Sequence, residues 1–171
     1  MTEQPEAPLH FTILFVAGLL LASCAVFFVF KHYAETSRAE RIQTSLANLA
    51  GIRDALANYV RTHGANAWPE RPRELLRERL LTPSGMQHPA WPYQPGYVML
   101  GGVRAAEDPG TTMTVYENVP AAKRKLGHRV LLLNGEIKAM NEPDFESLLE
   151  TQKRAWKSAG RTWQPWEMSA E

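Results

Sequence analysis

Five histidines, a single cysteine and a scatter of carboxylates are the residues of this chain that could do chemistry, and their spacing decides what that chemistry could be. His10, His32, His63, His88 and His128 never fall at the H-x-x-x-H interval that sets two imidazoles on one helix face for zinc. No stretch reads Gly-x-Ser-x-Gly, and none forms a glycine-rich phosphate loop. Asp54, Glu107 and Asp108 are isolated carboxylates and read as solvated surface. His128, just ahead of a strand pattern, reads as a strand-edge residue rather than a ligand. One cysteine gives neither a disulfide framework nor a cysteine-based zinc site. The expectation is therefore no catalytic residue, no metal and no cofactor, in a protein that is not an enzyme.

What the side chains lack in chemistry, the N-terminal element supplies in physics. Leu9 to Phe30 run for 22 positions without a charged side chain. At 1.5 Å per residue such a helix reaches about 33 Å, enough for the ~30 Å hydrocarbon core of a bilayer. A cleaved secretory signal would place Lys or Arg ahead of a shorter apolar core, whereas residues 1–30 hold only Glu3, Glu6 and His10 as titratable groups besides Cys24. Leu21-Ala22-Ser23-Cys24 fits a lipobox, but the run continues apolar through Phe30 where a lipoprotein would turn polar. The segment reads as an uncleaved single-pass anchor, with Cys24 a small apolar residue facing lipid or another helix.

Residues 31–171 carry all 19 basic and 16 of the 18 acidic residues, a formal charge of about +3. That balance does not suggest a nucleic-acid surface, and none is expected among the partners. The size beyond the anchor fits one small domain. Lys31, Arg38 and Arg41 follow the anchor and nothing basic precedes it, which by charge alone would put the bulk of the chain in the cytoplasm.

Beyond the anchor the pattern becomes amphipathic. Ile42, Leu46, Leu49, Ile52 (or Ala50), Leu56 and Val60 recur at helical spacing, with no proline from Leu9 to Thr62. One continuous helix over 9–64 is expected: a transmembrane part over 9–30 after a short polar N-terminus (1–8), then an amphipathic extension over 31–64 ending at Gly64. Gly51 is open between a kink or close-packing point and a tolerated glycine. Residues 65–95 should hold a short helix over Arg73–Leu81, with Pro72 in its first turn, and a proline-rich loop carrying Trp91 and Tyr93. Strands are expected at Gly96–Leu100 and Thr111–Glu117, separated by loops of which the second carries Lys123-Arg124-Lys125. Asn134-Gly135 between two apolar runs predicts a two-residue hairpin turn. That turn would pair Leu133 with Glu136 and Leu132 with Ile137, gathering Val130, Leu132, Ile137 and Ala139 on one face against the helix stripe. A closing helix follows from Asn141 or Glu142 with Phe145, Leu148 and Leu149 inward, completing 96–159. A polar tail, 160–171, carries Trp163 and Trp166.

The order of these elements resembles a type IV pilin-like protein, specifically a type II secretion pseudopilin. Asn48 to Tyr59 is similar to the "NLxxIxxALxxY" run in the soluble half of the pseudopilin helix. Trp68-Pro69 with Leu75 and Leu76 resembles the "LP…LxxL" segment after it. Val130 to Met140, leading to Phe145 and Leu148, is similar to the "VLFADGHVEW" hairpin and helix of prepilin-type proteins. The stretch His10-Phe11-Thr12-Ile13-Leu14-Phe15 stands where prepilins carry Gly-Phe-Thr-Leu-Ile-Glu. Phe11 and Thr12 match, while the glycine cut by the prepilin peptidase is His10 and the docking glutamate is Phe15.

The resemblance implies an α+β fold: a long N-terminal transmembrane-plus-amphipathic helix packed on a small antiparallel meander, with a short C-terminal helix. It implies a non-enzymatic role in a type II secretion or pilus-like assembly at the bacterial inner membrane, the C-terminal domain periplasmic and the partners lipid, pilin-like subunits or secretion-platform proteins. That orientation is preferred over the one the basic residues suggest. The alternative is a membrane-anchored periplasmic binding or scaffold protein that does not polymerise.

Overall fold

The computed structural model describes residues 9–64, 67–89, 95–104, 107–120 and 127–168, with side chains from residue 15 onward. The expected sites at Trp91 and Tyr93, at Lys123-Arg124-Lys125 and in the polar N-terminus lie outside the described residues, as do the side chains of His10 to Leu14. The chain divides into two compact units, Met1–Ile42 and Gln43–Glu171. Helix α1 (Leu9–His63) enters both.

In the first unit the large apolar side chains of α1, among the described ones, face outward. Phe15, Leu21, Phe27, Phe28 and Phe30 expose 62–72% of their surface. Such exposure of large apolar side chains is unfavourable in water and favourable in lipid. The helix is long and apolar enough to cross a membrane. Ser23 removes its own polar cost by donating to the Leu19 carbonyl at 2.8 Å.

The second unit is α+β. Helix α2 (Pro72–Arg77) and a 3-10 turn at Pro83–Met86 precede strands β1 (Tyr97–Leu100), β2 (Met113–Glu117), β3 (His128–Leu132) and β4 (Ile137–Met140). Helix α3 (Glu142–Ser158) and strand β5 (Pro165–Met168) complete it. All neighbours are antiparallel, in the order β4-β3-β2-β1-β5. The segment expected as polar tail thus supplies an edge strand. Trp166 and Met168 give it an inward payload, and Pro165, opposite Leu100, takes the first strand position, where a missing N–H is tolerated.

Both sheet faces are covered. On one, Leu49, Ile52, Leu56 and Tyr59 of α1 and Leu75 of α2 meet Tyr97, Met99, Val115, Leu131 and Met168. On the other, Phe145 and Trp156 of α3 meet Leu100, Met113, Val130 and Leu132. Within the expected stripe, Leu49, Ile52 and Leu56 are buried, Ile42 and Val60 are half-buried, and Leu46 stays 39% exposed. The buried face is rotated toward Ser45, Ala55 and Tyr59, so Leu46 falls on its flank.

The hairpin register differs from expectation by one residue. Leu131 pairs with Ile137 and Val130 with Lys138. Gly135 N–H donates to the Leu132 carbonyl (2.9 Å) and Leu132 N–H to the Glu136 carbonyl (2.9 Å). Asn134 Oδ1 accepts from Glu136 N–H (2.9 Å) and Gly135 takes φ +85°. This is a three-residue loop with glycine in the left-handed position, the other common hairpin connection. A one-residue slip exchanges faces. Leu131 and Ile137 therefore meet α1, while Val130 and Leu132 turn to α3.

Helix ends follow their local chemistry. α1 stops at Gly64, φ +104°. α2 ends earlier than expected because Arg79 N–H returns to Leu76 (3.0 Å) and Leu80 N–H to Leu75 (2.9 Å), with Arg79 at φ +58°. That is a Schellman cap with arginine where glycine is usual. Asn141 caps α3 by accepting from Asp144 N–H at 2.9 Å, with Pro143 in the first turn.

Candidate functional site

The expected N-terminal motif, His10 to Phe15, lies in the first turns of α1, and Phe15 exposes 62% of its surface. From Phe15 to Phe30 the exposed surface is predominantly apolar, with a physical capacity to contact lipid or another apolar helix. Asn134 and Gly135 form the turn between β3 and β4, against Arg53 of α1: a Cβ on Gly135 would come within 3.3 Å of Arg53 Cδ. Gly51 has nothing within 4 Å of an added Cβ, so it is a tolerated glycine rather than a close-packing point.

Where α1 first becomes buried, a polar cluster interrupts the apolar interface. Its centre is Glu117, the last residue of β2, only 2% exposed. Glu117 Oε1 accepts from Ser45 Oγ of α1, from His88 Nε2 at 3.2 Å and from Arg129 Nη1 at 2.9 Å. Oε2 accepts from Arg129 N–H at 2.9 Å. The Tyr97 hydroxyl lies 3.3 Å from Ser45 Oγ. Burial alone would raise the Glu117 pKa. The donors from His88, Ser45 and Arg129 outweigh it and hold the carboxyl below the ordinary range. Burial pushes the Tyr97 hydroxyl up.

A serine, a histidine and a carboxylate share this cluster, but not as a nucleophile relay. In a relay the imidazole stands between hydroxyl and carboxylate and the hydroxyl reaches substrate. Here the carboxylate stands in the middle and Ser45 is 0% exposed. The arrangement positions elements. His128 extends it: buried at 4%, it stacks on Phe145 (3.9 Å) and meets Glu142 Oε2 at 2.7 Å, tying β3 to the start of α3. It opens β3, at the strand's end as expected, with partners at both ring nitrogens.

Two further polar sets hold the opposite face. Gln152 of α3 accepts from Met113 N–H and donates to the Met113 carbonyl, both at 2.9 Å. Met113 lies where the β2–β3 pairing shifts register, so the amide fills ladder positions the bulge leaves open. Glu107, expected as solvated surface, accepts from Trp156 Nε1 (3.0 Å) and Arg161 (2.7 Å) and is largely buried. Asp54 and Asp108 are exposed as expected. Asp108 caps its own turn through Thr111 and Gly110, which lower its pKa.

A groove of about 470 Å³ opens between α1 and the β3–β4 turn, with Leu56, Ala57, Val60, Trp68 and Leu133 as walls and Arg53 beside Asp54 at the rim. Among the described residues no group of three or more His, Cys, Asp or Glu could hold a metal ion.

Ser45, Glu117, Arg129 and Gln152 escaped the sequence reading because their partners lie 12 to 72 residues away. Two signals were there to read: Ser45 sits four residues before Leu49 on the apolar face, and Glu117 ends a strand that is otherwise apolar or β-branched. No protein-family model matches the sequence, and neither a curated protein nor a solved structure matches the chain.

Proposed function

We propose that this chain is a non-enzymatic, single-pass membrane protein with a pilin-like domain, serving a structural or assembly role in a type II secretion or pilus-like system of the bacterial inner membrane. In this reading the N-terminus faces the cytoplasm and the second unit the periplasm. Its partners are lipid and the apolar helices of pilin-like subunits or platform proteins. The observation that carries it is α1 itself, one helix of 55 residues whose apolar N-terminal part exposes its phenylalanines and whose later part packs Leu49, Ile52, Leu56 and Tyr59 on an antiparallel sheet.

The test is co-purification with secretion-platform proteins from membranes. Phe11→Ala or Thr12→Ala should abolish it while leaving the chain membrane-bound. Co-purification unchanged in both variants contradicts the proposal.

A second reading is favoured by His10 and Phe15, which replace the cleavable glycine and the docking glutamate of prepilins, and by the groove beside Arg53. It is a membrane-anchored periplasmic scaffold or binding protein that never polymerises. A chain that stays monomeric in membranes yet captures a soluble partner through the second unit alone would support it.

A further inference from the structure

Three segments distant in sequence end on one oxygen. Ser45 of α1, His88 of the stretch after the 3-10 turn, and Arg129 of β3 all donate to Glu117 Oε1. A carboxylate oxygen offers two lone-pair directions, so three donors share it and each bond depends on the same carboxylate setting. Glu117, Ser45 and His88 are each at most 4% exposed, so no water stands ready to replace a lost partner.

The surroundings tie this oxygen to two pieces of the fold. Among the described side chains Ser45 is the first fully buried one of α1, three positions into the second unit, and one turn on Asn48 donates to the Gln87 carbonyl at 2.9 Å. Gln87 bridges Pro95, and Gly96 lies so close to the Gln87 and His88 backbone that a Cβ there would come within 2.3 Å of His88 N. The described ends of the proline-rich loop are thus closed on each other beside the carboxylate. The apolar cluster that Leu49 and Met99 share is non-directional, whereas a buried ionic bond favours one setting.

We propose that the Glu117 carboxylate is a latch that couples the setting of α1 at Ser45 to the closure of the loop ends at Gln87–His88 and Pro95–Gly96, and that neutralising it releases both together. Acid is the natural trigger. Among the described residues, the ionisable groups facing the latch are His88 from the loop, Arg129 and His128 from β3 and Tyr97 from β1, with Glu142 of α3 behind His128. The hydrogen bonds from His88 and Ser45, together with the Arg129 cation, outweigh burial and hold the Glu117 carboxyl below the ordinary range, so release belongs to more acidic conditions than a free carboxylate would need.

The test is hydrogen exchange on the full chain in detergent micelles at neutral pH. Glu117→Gln should speed exchange about tenfold or more in 43–49 and at the loop ends together, while α3 is unchanged. Ser45→Ala should speed exchange at His88 and Gly96, and His88→Gln should speed it in 43–49. Purely local effects of the Ser45 and His88 variants overturn the latch, as does acceleration in Glu117→Gln that is equal in α3. Should Glu117→Gln fail to fold, acid titration of the wild type decides: the two segments must open together and before α3.

Discussion

Arg79 and Glu117 show what single residues contribute. Arg79 holds φ +58° at the end of α2, a conformation costing an L-residue roughly 1–2 kcal/mol, part of which glycine returns as unfolded-state entropy. Arg79→Gly should therefore stabilise the second unit by about 0.5–1 kcal/mol, read as a higher urea midpoint at unchanged slope. A lower midpoint would mean that the arginine side chain contributes more than its backbone strain removes. Glu117 acts through its charge. Its carboxyl is held below the ordinary value when folded, so its contribution is fully present above the unfolded pKa and is lost as pH falls through the lower folded one. Urea midpoints measured from neutral pH downward should fall in that acidic window, and Glu117→Gln should flatten the fall. An equally steep fall in the variant would assign acid sensitivity to other groups. Tyr59, donating to Glu74 at 2.7 Å, has its pKa pushed up to about 12 and stays neutral throughout.

At the scale of elements, the hairpin and the bulge decide which side chains face which layer. Gly135 takes φ +85° and its missing Cβ leaves room for Arg53. Gly135→Ala should cost about 1–2 kcal/mol, visible as a lowered urea midpoint, and no change would mean the turn readily re-forms with two residues. Gln152 completes the ladder at the β2 bulge. Gln152→Leu leaves two buried backbone groups of Met113 without partners, at roughly 1–3 kcal/mol each, and should be among the most destabilising changes in α3. A loss under about 1 kcal/mol would show that water or a re-registered strand takes over.

Much of this was legible beforehand, for reasons that lie in period and punctuation. The end of α1 at Gly64, the capped start of α3 and all four meander strands follow from helical spacing, alternation and turn residues. The hairpin register did not, because Asn-Gly serves both two- and three-residue loops and only the pairing partners choose between them. β5 was missed because a four-residue edge strand among polar residues draws its stability from β1 rather than from its own pattern. The Glu117 cluster was missed because nothing local marks a contact between Ser45 and a residue 72 positions away.

At the scale of the whole molecule, the proposed role rests on surfaces. The formal net charge is +1. The polar residues that structure brings together hold elements in place. The large exposed apolar surface belongs to the first unit, where Phe15 to Phe30 face outward. An anchor of this kind could serve merely to tether, in which case any helix of equal length would do, or it could be the recognition element itself, in which case its side chains matter.

Replacing Leu9–Phe30 by an unrelated membrane helix of equal length, and measuring co-purification with pilin-like subunits and secretion-platform proteins from the same membranes, separates these directly. The proposed role predicts a chain that stays in the membrane and folds as before but loses those partners. Undiminished co-purification through the foreign helix would contradict it and leave the apolar segment as a tether.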